Sequence, residues 1–127
     1  MLTRVGITAG LAYRRPDALS GGQRQRVSLA RALVLEPEVL IADEPFTALD
    51  ANHQAQLANL LGDLREERRL TLVLISHDLR LVTHLCDRVV VMREGRIVDE
   101  ARVDELASPQ RAPYTRELLS ALEEVRP

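Results

Sequence analysis

A chain of 127 residues with net charge −2, 46% hydrophobic and 28% charged residues, has the balance of one soluble globular domain. The weak net charge excludes the strong basic field of a nucleic-acid binder. No apolar run approaches the roughly 20 residues that span a bilayer, and Arg4 interrupts any secretory leader. Cys86 is the single cysteine, so an internal disulfide is excluded, and all 17 basic residues are arginines.

In chain order, residues 1–18 carry mixed polarity, and Leu2, Val5 and Ile7 suggest a piece of short helix. Ser20 marks a helix start. From Gly22 to about Glu36 the apolar residues Val27, Ala30, Leu33 and Val34 recur at helical spacing, and Pro37 stops the helix. Val39–Ala42 is a short continuous apolar run, which predicts a parallel strand buried on both faces. Asp50 is a plausible N-cap for a helix running to about Arg69, with Leu57, Leu60, Leu61 and Leu64 on one stripe. Leu70–Ile75 reads as a second buried strand and Asp78–Cys86 as a short helix facing inward through Leu79, Val82 and Leu85. Arg88–Arg93 is a third strand, Glu94-Gly95 a tight turn, and Arg96–Val98 an antiparallel return. A helical turn over Val103–Ala107 and a last helix from Pro113 through Leu122 complete an α/β pattern.

Two stretches carry chemistry. Leu19-Ser20-Gly21-Gly22-Gln23, continued by Arg24-Gln25-Arg26-Val27, sets two glycines at a helix start. There the backbone can approach a ligand, and the unpaired N–H groups and the positive dipole end suit a phosphate. Ser20 adds a hydroxyl and Gln23 stands at the edge of such a site. The second stretch, Val39-Leu40-Ile41-Ala42-Asp43-Glu44-Pro45, ends an apolar strand in two carboxylates at the carboxyl edge of a sheet, where α/β sites lie. Ala48-Leu49-Asp50 follows, and Ser76-His77-Asp78 comes after the next strand. His53 and His84 lack a comparable setting and read as solvated or structural.

Order and spacing together resemble the signature motif, the Walker B motif, the D-loop and the switch histidine of an ATP-binding-cassette (ABC) ATPase. The resemblance implies a partial P-loop NTPase fold with a mostly parallel sheet, and ATP and Mg²⁺ as ligand and cofactor. Asp43 would hold the Mg²⁺ through water, Glu44 would act as general base, and His77 would contact the γ-phosphate. Ser20, Gly21, Gly22 and Gln23 would face the ATP of a second subunit in a head-to-tail dimer, with Asp50 at the interface. No Gly-x-x-x-x-Gly-Lys-Ser/Thr loop occurs in these residues, and no lysine at all, so the P-loop ammonium is missing. In the family's sheet the Walker A strand lies between the strand before His77 and the Arg88–Arg93 strand. Without it the sheet is expected in two pieces with unpaired edges. Residues 1–36 would then belong to the helical signature subdomain, 37–102 to a remnant of the catalytic core and 103–127 to a tail.

That tail, Ser108-Pro109-Gln110-Arg111-Ala112-Pro113-Tyr114-Thr115-Arg116, resembles the segment after the catalytic domain in oligopeptide, dipeptide and nickel importers. Phe46 departs from the importer pattern, where a small or polar residue stands. The resemblance implies transmembrane permease subunits as partners, a solute-binding protein acting indirectly, no nucleic acid, and a place at the cytoplasmic face of the membrane. Two other classes stay open. One is an inactive fragment or split-gene half that needs a Walker A partner. The other is a soluble ABC ATPase outside transport.

Overall fold

The computed structural model describes residues 1–124, and side chains through residue 121. The chain divides into two compact units, Met1–Ile75 and Ser76–Pro127.

The first unit opens with turns over residues 2–6, in place of the expected piece of helix, and with a short helix α1 (Ala9–Ala12). Val5 and Ile7 are nonetheless buried. Helix α2 (Gly21–Leu33) starts where Ser20 caps it and buries Arg26, Leu29, Ala30 and Leu33. The inward stripe was expected through Val27 and Val34, but Val34 is exposed. Arg26 accounts for the shift in phase: its guanidinium turns inward and reaches the carbonyls of Val5 at 3.5 Å and Gly6 at 3.4 Å. Such an arginine satisfies buried backbone acceptors while its stem packs as hydrocarbon.

Strand β1 (Val39–Asp43) pairs in parallel with β2 (Thr71–Ile75), Leu40 opposite Leu72 and Asp43 opposite Ile75. Between them runs α3 (Ala51–Arg68), capped by Asp50, with Leu57, Ala58, Leu60, Leu61 and Leu64 buried as the leucine stripe predicts. Burial of the strands on both faces is not what the structure shows. Leu40 and Ala42 are buried, whereas Val39, Ile41, Val73 and Ile75 are 54%, 67%, 44% and 49% exposed. The register puts Ile41 beside Val73 and leaves one apolar face of the sheet open. The described residues supply cover for the other face alone.

The second unit holds α4 (Leu79–Leu85), capped by Asp78, and a hairpin of β3 (Arg88–Arg93) and β4 (Arg96–Arg102). Glu94 and Gly95 take φ of 51° and 74°, the pair of left-handed residues that a two-residue hairpin turn requires. A bulge between Val91 and Met92 shifts the register from Val91↔Asp99 to Met92↔Ile97. Each unit thus carries its own two-stranded sheet, one parallel and one antiparallel, which matches the expected division of the sheet.

β4 runs four residues beyond the expected Val98, because Asp99 is not a strand terminator here. Its carboxylate accepts from the Ala112 N–H at 2.9 Å and from the Thr115 hydroxyl at 2.8 Å, and it pairs with the Arg111 guanidinium at 3.4 Å. These groups lie at the start of α5 (Pro113–Glu124), so a strand residue caps the last helix. Arg93 also stacks on Tyr114, 4.8 Å from the ring centroid. α5 in turn meets α4.

Thr115 is 1% exposed. Thr115→Val keeps its shape and removes the hydroxyl donor, so we expect a loss of about 1 kcal/mol in denaturant unfolding. The Ala112 N–H, with the Thr115 hydroxyl and Arg111 adding to it, holds the Asp99 carboxyl below its ordinary value. A depressed carboxyl contributes stability that is present above its unfolded pKa of about 3.9 and is lost as pH falls through the folded value. Thermal melts from about pH 5 to about pH 3 should therefore fall more steeply for the native chain than for Asp99→Asn.

Candidate functional site

The start of α2 is built by a capping box. The Ser20 Oγ accepts from the Gln23 N–H at 3.2 Å, and the Gln23 Oε1 accepts from the Ser20 N–H at 2.9 Å. Gln23 is thereby committed to the helix start that presents Gly21 and Gly22. The N–H groups of those glycines belong to the first turn, which has no intrahelical acceptors. Gly22 is required for another reason: a Cβ there would sit 2.9 Å from the Ala48 carbonyl oxygen and 2.9 Å from the Leu49 side chain. The missing side chain lets the helix start press on the turn that follows β1.

That turn carries the carboxylates. Asp43 ends β1 opposite Ile75 and is exposed. Glu44 continues the ladder by one bond, donating its N–H to the Ile75 carbonyl at 2.9 Å. Its backbone then turns left-handed, with φ of 45°. The Glu44 carbonyl accepts from the Gln25 Nε2 at 2.8 Å and from the Thr47 hydroxyl at 3.1 Å, and Thr47 also reaches the Glu44 carboxylate at 3.1 Å. A left-handed glutamate is a strained conformation, and it persists because the surrounding bonds over-determine it. Phe46, the departure from the importer pattern, is buried at 3% exposure, and its carbonyl accepts from the Gln54 amide at 3.2 Å.

Asp50 serves α3 directly. Its carboxylate accepts from the His53 N–H at 2.9 Å and meets the His53 ring Nδ1 at 2.7 Å. The backbone bond from His53, followed by the ring, holds the Asp50 carboxyl below its ordinary value. His53 is thus a capping partner, in keeping with its structural reading.

The structure brings Ser20, Gly21, Gly22, Gln23, Asp43, Glu44 and Asp50 into one unit, and His77 belongs to the other, two residues past β2 along the chain. Sequence reasoning did not find Gln25 or Thr47 as partners of Glu44. Gln25 stood inside the quoted signature stretch, but its partner 19 residues away left no local signal. Among the described residues no cluster of three or more His, Cys, Asp or Glu forms a ready cation cage. An exposed strand-end carboxylate such as Asp43 still fits Mg²⁺, which keeps its waters and needs one or two carboxylates beside substrate phosphates.

Residues 1–47 match the ABC transporter family. The dipeptide transport ATP-binding protein DppF of Haemophilus influenzae is 45% identical over 127 residues, which is 100% of this chain and 39% of that protein. The oligopeptide transport ATP-binding protein OppF of Bacillus subtilis is 48% identical over 122 residues, 96% of this chain and 40% of that protein. The chain therefore spans well under half the length of these relatives. Among solved structures, a dimeric ATP-binding cassette in a post-hydrolysis state bound to ADP and Pi matches with a TM-score of 0.76 at 33% identity, covering 80% of this chain and 44% of that one. With a capped Ser-Gly-Gly helix start pressed on the turn that follows a strand-end Asp-Glu, and with similarity to these relatives along nearly its whole length, the chain matches part of an ABC transporter ATP-binding domain.

Proposed function

We propose that this chain is part of the ATP-hydrolysing subunit of a membrane importer for peptides, working on ATP held jointly with other cassette surfaces. The observation that carries this reading is the approach of the Gly22 backbone to Ala48, which makes the signature helix start and the carboxylate turn one structural piece. The similarity to dipeptide and oligopeptide transport ATP-binding proteins supports peptides as the solute class.

Each residue takes a role that its position supports. The Gly21 and Gly22 N–H groups and the Ser20 hydroxyl cap the phosphates of a nucleotide seated on a second, head-to-tail subunit. Glu44 removes the proton from the attacking water as its oxygen reaches the γ-phosphorus and the bond to the β-phosphate oxygen breaks. His77 donates to the developing anionic oxygen. Asp43 would hold the Mg²⁺, which would offset the negative charge of the phosphate oxygens. Asp50 lies where the two subunits meet. Transmembrane permease subunits take up the resulting motion, and a solute-binding protein delivers the solute to them. On this reading the chain works at the cytoplasmic face of the membrane.

The lysine-free composition favours a second statement about the 127 residues taken alone: they do not hold ATP. Several charge-assisted bonds, each worth about 1.5–3 kcal/mol, have no donor here. Losing even ~4 kcal/mol weakens binding about a thousandfold. Calorimetric titration of this chain with MgATP should give no saturable heat in the micromolar range, and micromolar affinity would overturn that statement. Adding a cassette polypeptide that supplies a P-loop should produce ATP hydrolysis. Glu44→Gln in this chain should lower that rate by about a hundredfold or more. A Glu44→Gln chain that hydrolyses at the native rate would falsify the role given to Glu44.

A further inference from the structure

The helix carrying the signature and the turn carrying the carboxylates are fastened at two points. One is the Gly22 contact with Ala48. The other is Gln25, one turn further into α2, whose Nε2 donates to the Glu44 carbonyl at 2.8 Å. The Gln25 Oε1 is buried and has no partner. The side chain forgoes one hydrogen bond at that end while its other end holds the Glu44 carbonyl, so its use here is as a donor alone. That carbonyl belongs to a left-handed residue, and the Thr47 hydroxyl also donates to it. Thr47 bonds to the carboxylate as well. Rotation of the Glu44 peptide plane would therefore move the carboxylate and break the Gln25 bond together.

We propose that Gln25 is a positioning residue for Glu44. Its amide locks the left-handed turn from behind and, with Thr47, fixes the direction of the carboxylate. Because Gln25 and the Gly21-Gly22 turn share one rigid helix, a displacement of that helix start by a phosphate is passed to the Glu44 carboxylate of the same chain. The phosphate-capping end and the water-activating end are thus mechanically linked inside one subunit. This rests on the reading of Glu44 as the base.

The test uses the ATPase assembly that contains this chain together with a P-loop-bearing cassette. Gln25→Met keeps length and volume and removes both the donor and the unpartnered acceptor. It should lower kcat at least about tenfold while KM for ATP stays within about twofold and the melting temperature is unchanged. Gln25→Glu keeps the shape, cannot donate, and sets a carboxylate against a carbonyl, so it should show the same loss in kcat. Combined with Glu44→Gln, the Gln25→Met change should bring no further fall, because both act through one group. Native kcat in Gln25→Met and Gln25→Glu overturns the inference. So does a fall confined to KM and melting temperature, or a further loss in the Glu44→Gln background. Native hydrolysis in Glu44→Gln alone overturns the role of Glu44 and this inference with it. Loss in Glu44→Gln beside native hydrolysis in Gln25→Met overturns this inference alone.

Discussion

The backbone of Glu44 ties together three segments of the first unit. The residue donates to the β2 end through the Ile75 carbonyl, accepts from α2 through Gln25, and accepts from its own turn through Thr47. Three segments of the chain therefore converge on one left-handed residue. Neutral bonds of this kind contribute about 1 kcal/mol each, so together they offset a strain of about 1–3 kcal/mol in the turn. A functional carboxylate placed on such a residue is held by backbone geometry, which is stiffer than a side-chain contact. The same convergence explains why glycine stands at position 22: any side chain would separate the helix start from the turn.

The sheets tell of a different constraint. Val39, Ile41, Val73 and Ile75 are apolar although they face solvent, and Val90, Met92 and Ile97 repeat this in the hairpin. Strands covered on one side normally alternate apolar with polar residues. These do not, so their composition is that of strands covered on both sides. The relatives are more than twice as long as the aligned region, and 39–40% of each is represented here. The pattern of side chains on β1 and β2 thus matches a larger sheet than the described residues build.

Much of this was legible in the residues. Ser20, Asp50 with the leucine stripe, and Glu94-Gly95 each act through near neighbours in the chain, and the structure has helix starts and a turn at those places. What failed to show was long-range. The inward turn of Arg26 depends on carbonyls some 20 residues earlier, and a charged residue gives no hint that it will be buried. Gln25 looks like any polar helix residue until Glu44 is beside it. The expected return strand stopped at Val98, yet the Asp99 that follows stays in β4, its carboxylate held by the N–H of Ala112 and the hydroxyl of Thr115. The open faces of the strands were misread for a related reason: an apolar run states what could be covered, not what covers it.

The borrowed cap of the last helix bears on how such a chain can be cut and joined over evolutionary time. α5 takes its N-terminal acceptor from a strand that precedes it, with a 3₁₀ turn between them. A gene fusion or exon-like exchange that imported the terminal helix by itself would leave the Ala112 amide and Thr115 hydroxyl facing whatever side chain the host offered. The cap stays intact only when the hairpin and the helix travel together, from β3 through α5.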